Sequence, residues 1–395
     1  MKQQTKNSGG SSHRRTFIKA ASAAAVGMAL PMTAGAKSSG YLVYIGTYTN
    51  KTASKGIYRC RYDEATGELK LVGTTQAVDP SFLAIDSRNK YLFAASEIAD
   101  FQGRTTGAVS SYRIDQRSGD LEFINREASE GAAPCYVSVD AKRKAVLVAN
   151  YSSGSVSVLP VSSDGKLSKA TYVDTHKGSS INPDRQKEPH AHSILLDDHS
   201  DLAFSADLGT DRISIYRLDA KAGKLGILGE ASLKPGAGPR HIAIHPSGKL
   251  LYVINELDST ITSFRFDRAG AKLSSLDSVS TLPADFSGKS YCADIHIHPS
   301  GRFLYGSNRG HNSIAVFAIN PADGKLSVIQ HQSTLGNWPR NFALDPSGKF
   351  LLVANQNSGN IASLAIDQQT GKLSETRFNL EIPAPVCVKF MPFKF

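Results

Sequence analysis

The chain has 395 residues, 41% of them apolar and 20% charged, which is enough to bury a large core. Its formal charge is +10, but five Lys/Arg and no acid fall in the first 36 residues, leaving a mild +5 without any basic run. That balance excludes nucleic acid as a partner and suits anionic small molecules.

Residues 1–36 read as a targeting segment. His13-Arg14-Arg15-Thr16-Phe17-Ile18-Lys19 forms a twin-arginine export motif, the run from Ala20 to Leu30 is weakly apolar, and Ala34-Gly35-Ala36 is a small-x-small cleavage site. The precursor is therefore expected to meet the Tat export machinery and to act in the periplasm. No later stretch approaches the roughly 18 apolar residues of a membrane helix, so no stable membrane insertion is expected after cleavage.

From residue 37 onward the chain repeats itself. A short turn ending in leucine recurs at intervals of roughly fifty residues. The copies are Thr66-Gly-Glu-Leu69, Ser118-Gly-Asp-Leu121, Asp164-Gly-Lys-Leu167, Ala222-Gly-Lys-Leu225, Ala269-Gly-Ala-Lys-Leu273, Asp323-Gly-Lys-Leu326 and Thr370-Gly-Lys-Leu373. Ahead of each lies an apolar strand, a turn such as His245-Pro-Ser-Gly248 or Asp345-Pro-Ser-Gly348, and a second apolar strand ending in Asn or a similar residue. Alternating strands such as Ser155–Leu159 and Ile213–Tyr216 follow, with no helical period. Four hairpin-linked strands per unit predict an all-β, seven-bladed β-propeller filling 37–395 as one domain. The first unit opens on Tyr41–Thr47, which matches a second strand, and its missing first strand stands at Val386–Phe390. The C-terminal strand is expected to pair with the N-terminal blade and close the ring.

The four cysteines, Cys60, Cys135, Cys292 and Cys387, show no C-x-x-C pair and no zinc spacing. They are read as buried small apolar residues.

The repeat also lets the chain be aligned with itself. Five positions before each turn residue stand Ser81, Cys135, His192, Arg240, Ala293, Arg340 and Val386. Just past the second strands stand Glu97, Tyr151, Leu208, Glu256, Arg309 and Gln356. Both slots face one mouth of the ring, and both are rich in charge where packing between blades asks for apolar side chains. Arginine forks bind carboxylate or phosphate and stabilise oxyanions, and Glu or His beside them moves protons. A structural ring of salt bridges through Arg240, Glu256 and Arg309 is the competing reading.

Other polar residues carry less. His190-Ala-His192 has no third ligand, so no metal is expected. Asp294 and His296 share a strand face, lining the channel or making a buried hydrogen bond, and His241 and Asn341 share the Asp294 slot. His245 and His298 replace Asp at turn starts and are read as turn caps. Asp211-Arg212 reaches the rim or forms a loop ion pair, and Trp338 packs.

These segments resemble the lactonase family of seven-bladed propellers, which includes propeller-type 6-phosphogluconolactonases and the fungal carboxy-cis,cis-muconate lactonizing enzyme. The likeness rests on Tyr44-Ile-Gly-Thr-Tyr48, Pro189-His-Ala-His192, Gly236-Ala-Gly-Pro-Arg-His241, Asn255-Glu-Leu257, Ala293-Asp-Ile-His296 and Ser307-Asn-Arg309. It implies opening or closing of a lactone without metal or organic cofactor, with acid/base and anion-binding roles on His192, Arg240, Glu256 and Arg309. Arg240 and Arg309 are expected to hold the anionic group and polarise the carbonyl. Glu256 or His192 would activate water and the other protonate the leaving alkoxide. Arg340, His241, Asp294, His296, His190 and Glu97 are the expected substrate contacts. An export signal departs from a cytoplasmic sugar-phosphate route and favours a periplasmic sugar-acid lactone. The alternatives are a carboxymuconate-type cycloisomerase and a non-catalytic propeller that binds a ligand or protein.

Overall fold

The computed structural model describes residues 39–395 except position 143; the expected export segment, 1–36, lies outside the described residues. Those residues form seven antiparallel four-stranded sheets and no helix. Blade one is β1 (Ser39–Thr47), β2 (Gly56–Tyr62) and β3 (Leu69–Gln76); blade two is β4 (Pro80–Ile85), β5 (Tyr91–Ser96), β6 (Ala108–Ile114) and β7 (Leu121–Ala128). Blade three is β8 (Pro134–Val139), β9 (Ala145–Asn150), β10 (Ser155–Pro160) and β11 (Tyr172–Thr175). Blade four is β12 (Ala191–Leu196), β13 (Leu202–Asp207), β14 (Arg212–Asp219) and β15 (Lys224–Ser232). Blade five is β16 (Pro239–Ile244), β17 (Leu250–Asn255), β18 (Thr260–Asp267) and β19 (Lys272–Ser280). Blade six is β20 (Tyr291–Ile297), β21 (Phe303–Arg309), β22 (Ser313–Ile319) and β23 (Leu326–Ser333). Blade seven is β24 (Pro339–Leu344), β25 (Phe350–Asn355), β26 (Asn360–Ile366) and β27 (Leu373–Glu381). The final strand, β28 (Pro385–Lys394), returns to pair with β1 as the innermost strand of blade one. It packs on β24 to one side and β4 to the other, so the ring closes as the repeat predicts.

Burial explains the strand patterns. The second strands, such as β9 (AVLVAN) and β13 (LAFSAD), are buried along their whole length because a blade covers each face. The outermost strands, such as β27, alternate half-buried and exposed because one face meets water. The leucine turns join the third and fourth strands and dock on the preceding blade. Tyr44 Oη donates to Gly119 O (2.6 Å), Tyr252 Oη to Gly324 O (2.9 Å) and Tyr305 Oη to Gly371 O (3.0 Å). The fifth copy, with its extra residue, moves the positive φ onto Ala271; there Arg268 bridges to Asp197 of blade four instead.

The Pro-Ser-Gly turns behave as capped turns. His245 Nδ1 accepts from Ser247 N (3.1 Å) while Nε2 donates to Gly301 O of the next blade (2.8 Å). His298 repeats this with Ser300 and Gly348. All four cysteines are buried free thiols.

Each innermost strand breaks its ladder once, at the same place. The register jumps from Pro80 to Phe82, Pro134 to Tyr136, Ala191 to Ser193, Pro239 to His241, Cys292 to Ile295, Pro339 to Asn341, and Pro385 to Cys387. The skipped residues are Ser81, Cys135, His192, Arg240, Ala293 with Asp294, Arg340 and Val386. A bulge leaves its extra residue unpaired and re-aims the side chain. The slot found by aligning the chain with itself is a ring of seven β-bulges at one mouth of the channel.

Candidate active site

The second slot is positioned by the backbone. In most blades the residue after the second strand donates its N–H to the carbonyl of the segment entering the first strand (Glu97 to Asp79 O, Tyr151 to Ala133 O, Glu256 to Gly238 O and Gln356 to Trp338 O), whereas Arg309 ends β21 itself and pairs with Tyr291. Bulge and post-strand residue are thereby held side by side.

In blade five this coupling is tightest. Asp211, from blade four, accepts from Gly236 N and Gly238 N with its two oxygens, each at 2.6 Å. Gly238 has φ +66, and a Cβ there would lie 2.5 Å from Leu257 Cγ. Only glycine lets the loop close on Leu257, and that closure sets Arg240 on one side and Glu256 on the other. Asp211 is thus a clamp on the glycine loop, while Arg212 pairs with Glu230 at the surface.

Glu256 is the hub. Its Oε2 accepts from Arg309 Nη2 (2.6 Å) and Arg240 Nε (3.1 Å) and faces His192 Nε2 at 3.9 Å. Its Oε1 accepts from Arg185 Nη2 (2.8 Å). Burial opposes ionisation, yet Arg309, Arg240 and Arg185 hold the carboxyl well below the usual carboxylate range. The arginines extend further: Arg309 Nη2 reaches Cys292 O (2.7 Å) and Arg240 Nη1 reaches Ala293 O. Burial with two neighbouring arginines brings Arg240 down to about 10. His192 is buried, and burial with the nearby Arg240 charge keeps it neutral well below the ordinary histidine value. Cys135 Sγ lies 3.6 Å from His192 Nδ1, and burial pushes this thiol up, so it is not a thiolate nucleophile.

Arg340 is placed differently. Its guanidinium lies over the Tyr48 ring at 5.3 Å, and among the described residues it donates no hydrogen bond. Tyr48 Oη donates to Glu97 Oε2 (2.9 Å), and burial raises the Glu97 carboxyl. The mouth therefore holds two carboxylates in opposed environments, one tied down by arginines and one desolvated.

His241 forms the floor. Arg240 Nη1 donates to its Nε2 (3.2 Å), so the ring proton sits on Nδ1 and is donated to Asp294 Oδ1 (2.7 Å). Burial and Arg240 bring His241 down to about 4. Phe82 and Tyr136 pack their rings edge-on against it. Asp294 also accepts from Asn341 Nδ2 and from His296 Nε2 (3.1 Å). Below this floor is a 450 Å³ cavity lined by Phe82, Tyr136, His241, Asp294, His296 and Lys389, together with residues of the turns at the far ends of the first strands. His296 belongs to that opposite side. It stands apart from the mouth residues, touching Asp294 and packing edge-on against the Phe342 ring (centroids 4.9 Å apart).

Residues 42–390 match the family model described as lactonase, 7-bladed beta-propeller. The chain belongs to the lactonase family of seven-bladed β-propellers. It is 39% identical over 354 residues to a 6-phosphogluconolactonase of Bacillus subtilis, covering 89% of this chain and 98% of that one. A 6-phosphogluconolactonase of Formosa agariphila is 36% identical, covering 77% and 86%. Among solved structures, a periplasmic gluconolactonase of Pseudomonas aeruginosa superposes with TM-score 0.83 at 34% identity, covering 89% of this chain and 99% of that one. Family membership makes the chain an enzyme of the lactonase type, a carboxylic-ester hydrolase.

Within this lactonase, His192, Arg240, Glu256 and Arg309 meet around one carboxylate, and Arg340, Glu97 and His241 border them. His190 stands at the rim, stacked on Tyr151 (centroids 4.5 Å apart). Three mouth residues escaped the sequence alignment. Tyr48 occupies the post-strand slot of blade one, where the permuted first unit hides the register. Trp338, read as packing, lies under the Arg309 guanidinium at 5.5 Å. Arg185 sits in the connection from β11 to β12, outside both aligned slots, and no repeat signal marks it. Among the described residues no cluster of three or more His, Cys, Asp or Glu is arranged to hold a metal, and no helix is long and apolar enough to cross a membrane.

Proposed function

We propose that this protein hydrolyses the lactone of a sugar acid at the bulge-lined mouth, in the periplasm after Tat export. The observation that carries this reading is a neutral, buried His192 beside a carboxylate that three arginines keep ionised. The names of the relatives, 6-phosphogluconolactonase and periplasmic gluconolactonase, support the substrate class.

In the proposed reaction His192 is the base. Its neutral imidazole takes a proton from water as the water oxygen adds to the lactone carbonyl carbon. The resulting imidazolium is stabilised by Glu256 at 3.9 Å, which is too strongly ionised to be an effective base itself. Arg340, with its donors unspent, and the Arg309 fork are the groups suited to the carbonyl oxygen as it gains charge. The acyl C–O bond then breaks, His192 returns the proton to the leaving alkoxide, and the product is an open-chain hydroxy acid. This arrangement shifts the anion-holding role from Arg240, which is spent on Glu256, Ala293 and His241, towards Arg340.

Acid release from glucono-δ-lactone, its 6-phosphate and a muconolactone tests the proposal. Turnover of a sugar lactone that disappears in His192→Ala supports it. Loss of ultraviolet absorbance from an unsaturated diacid, without sugar-lactone turnover, would instead mark a cycloisomerase.

A further inference from the structure

We propose that Arg185 and Tyr151, backed by His190, form an anion subsite at the rim of the mouth, taking a phosphate or carboxylate carried by the lactone at the end remote from its ester. This rests on the lactonase reading above and adds the charge of the substrate to it.

Arg185 divides the two sides of Glu256. Oε2 serves Arg240 and Arg309 and faces His192, whereas Oε1 faces outward to Arg185. The reacting centre lies on the first side, so a group bound at Arg185 is displaced from it towards the opening. Exposure agrees: the side chains of His192 and Glu256 are each 5% exposed, and that of Arg185 is 36% exposed.

The donors there are not used up. Only Nη2 of Arg185 is engaged, donating to Glu256 Oε1 and to Tyr151 Oη (3.0 Å). Among the described residues its Nε and Nη1 make no hydrogen bond, and the Tyr151 hydroxyl proton is given to none. An arginine edge and a phenol O–H side by side match the oxygens of a phosphate or carboxylate. His190 stacks flat on the Tyr151 ring, at 9° between planes, and its Nδ1 donates to Tyr151 O (3.0 Å), which fixes the ring's direction.

The loop that carries Arg185 is built to hold it. Both of its ends are fastened to Asp207, which accepts from His176 Nδ1 (2.6 Å) at Oδ2 and from His190 N (2.9 Å) at Oδ1. Inside, the fully buried Gln186 donates to Leu208 O (2.8 Å) and accepts from Asn182 N (3.1 Å). A loop ordered this way presents a preset guanidinium rather than a mobile one, which lowers the entropy lost on binding.

The test compares kcat/KM of the full chain on three lactones: neutral glucono-δ-lactone, its 6-phosphate, and the carboxylate-bearing lactone of glucaric acid. In the wild type at least one charged lactone is preferred. In Arg185→Ala the charged-to-neutral ratio falls by about ten- to a hundredfold, mostly through KM. Arg185→Lys restores part of it, and Tyr151→Phe, which keeps the stack on His190, lowers the ratio several-fold. Whether the phosphate or the carboxylate substrate responds tells which anion the subsite takes. Equal losses on neutral and charged lactones would mean that Arg185 merely orders Glu256 and would overturn the subsite alone. No turnover of any sugar lactone by the wild type overturns the lactonase reading and the subsite with it.

Discussion

Arg309 and Glu256 stand on neighbouring blades, yet Arg309 Nη2 lies 2.6 Å from Glu256 Oε2, and both side chains are 5% exposed. Two further guanidiniums, from Arg240 and Arg185, share the same carboxylate. One negative charge therefore joins blades five and six and the loop before blade four.

Removing that charge leaves buried cations facing one another. Glu256→Gln is expected to lower kcat/KM by about a hundred- to ten-thousandfold, because the imidazolium of His192 loses its counter-charge. It also destabilises the fold by about 3 kcal/mol, since breaking a buried pair strands its partner. Steady-state rates and urea unfolding check both halves; a variant with normal rates rules out the central role of Glu256.

The neutral histidines give stability a pH window. His241 titrates near 4 in the fold against 6.5 in an unfolded chain. Between those values the unfolded chain binds the proton and the folded one does not, so stability is complete above about 6.5 and declines as pH falls towards 4. Thermal melts from pH 8 to 4.5 should show this decline, and His241→Asn should flatten it. The acid limb of kcat/KM should likewise lie below the ordinary histidine range, because His192 stays neutral there.

Gly238→Ala tests the loop that pairs Arg240 with Glu256. A side chain at φ +66 that also meets Leu257 costs about 2 kcal/mol and pushes the two residues apart. Activity should fall at least tenfold while far-ultraviolet circular dichroism stays that of the wild type.

Deletion of 385–395 removes β28, the innermost strand of blade one and the link between blades seven and two. The ring then has an open edge, and a soluble, cooperatively melting protein is not expected. Retention of the wild-type melting temperature would contradict ring closure through this strand.

Arg14→Lys with Arg15→Lys is expected to keep the precursor in the cytoplasm, as shown by cell fractionation and by the unprocessed mass. Continued export would point to a Sec-type signal.

The blades, their number and the closing strand were legible because each repeat carries its own turn chemistry and strand period. The slot of His192, Arg240 and Arg340 was legible for the same reason: charge stood where the other copies are apolar or small. The bulges were not, since a bulge is a property of pairing between two strands and leaves no composition mark on either. Arg185 was hidden because its loop has no counterpart in the other repeats. His296 stands apart from the mouth because residues two apart on one strand share a face but not a depth, and the His241 floor lies between the two ends of the channel.

Seven bulges at one level amount to seven seats, six of them holding a single side chain outside the hydrogen-bonded ladder and the blade-six seat holding two. In this chain they hold Ser81, Cys135, His192, Arg240, the pair Ala293 and Asp294, Arg340 and Val386. The occupant of a seat can change without disturbing the register of the strands on either side. Descendants of such a ring can acquire new chemistry by reassigning seats one at a time, and its near-symmetry leaves three of them, now held by the small or apolar Ser81, Cys135 and Val386, open to laboratory evolution.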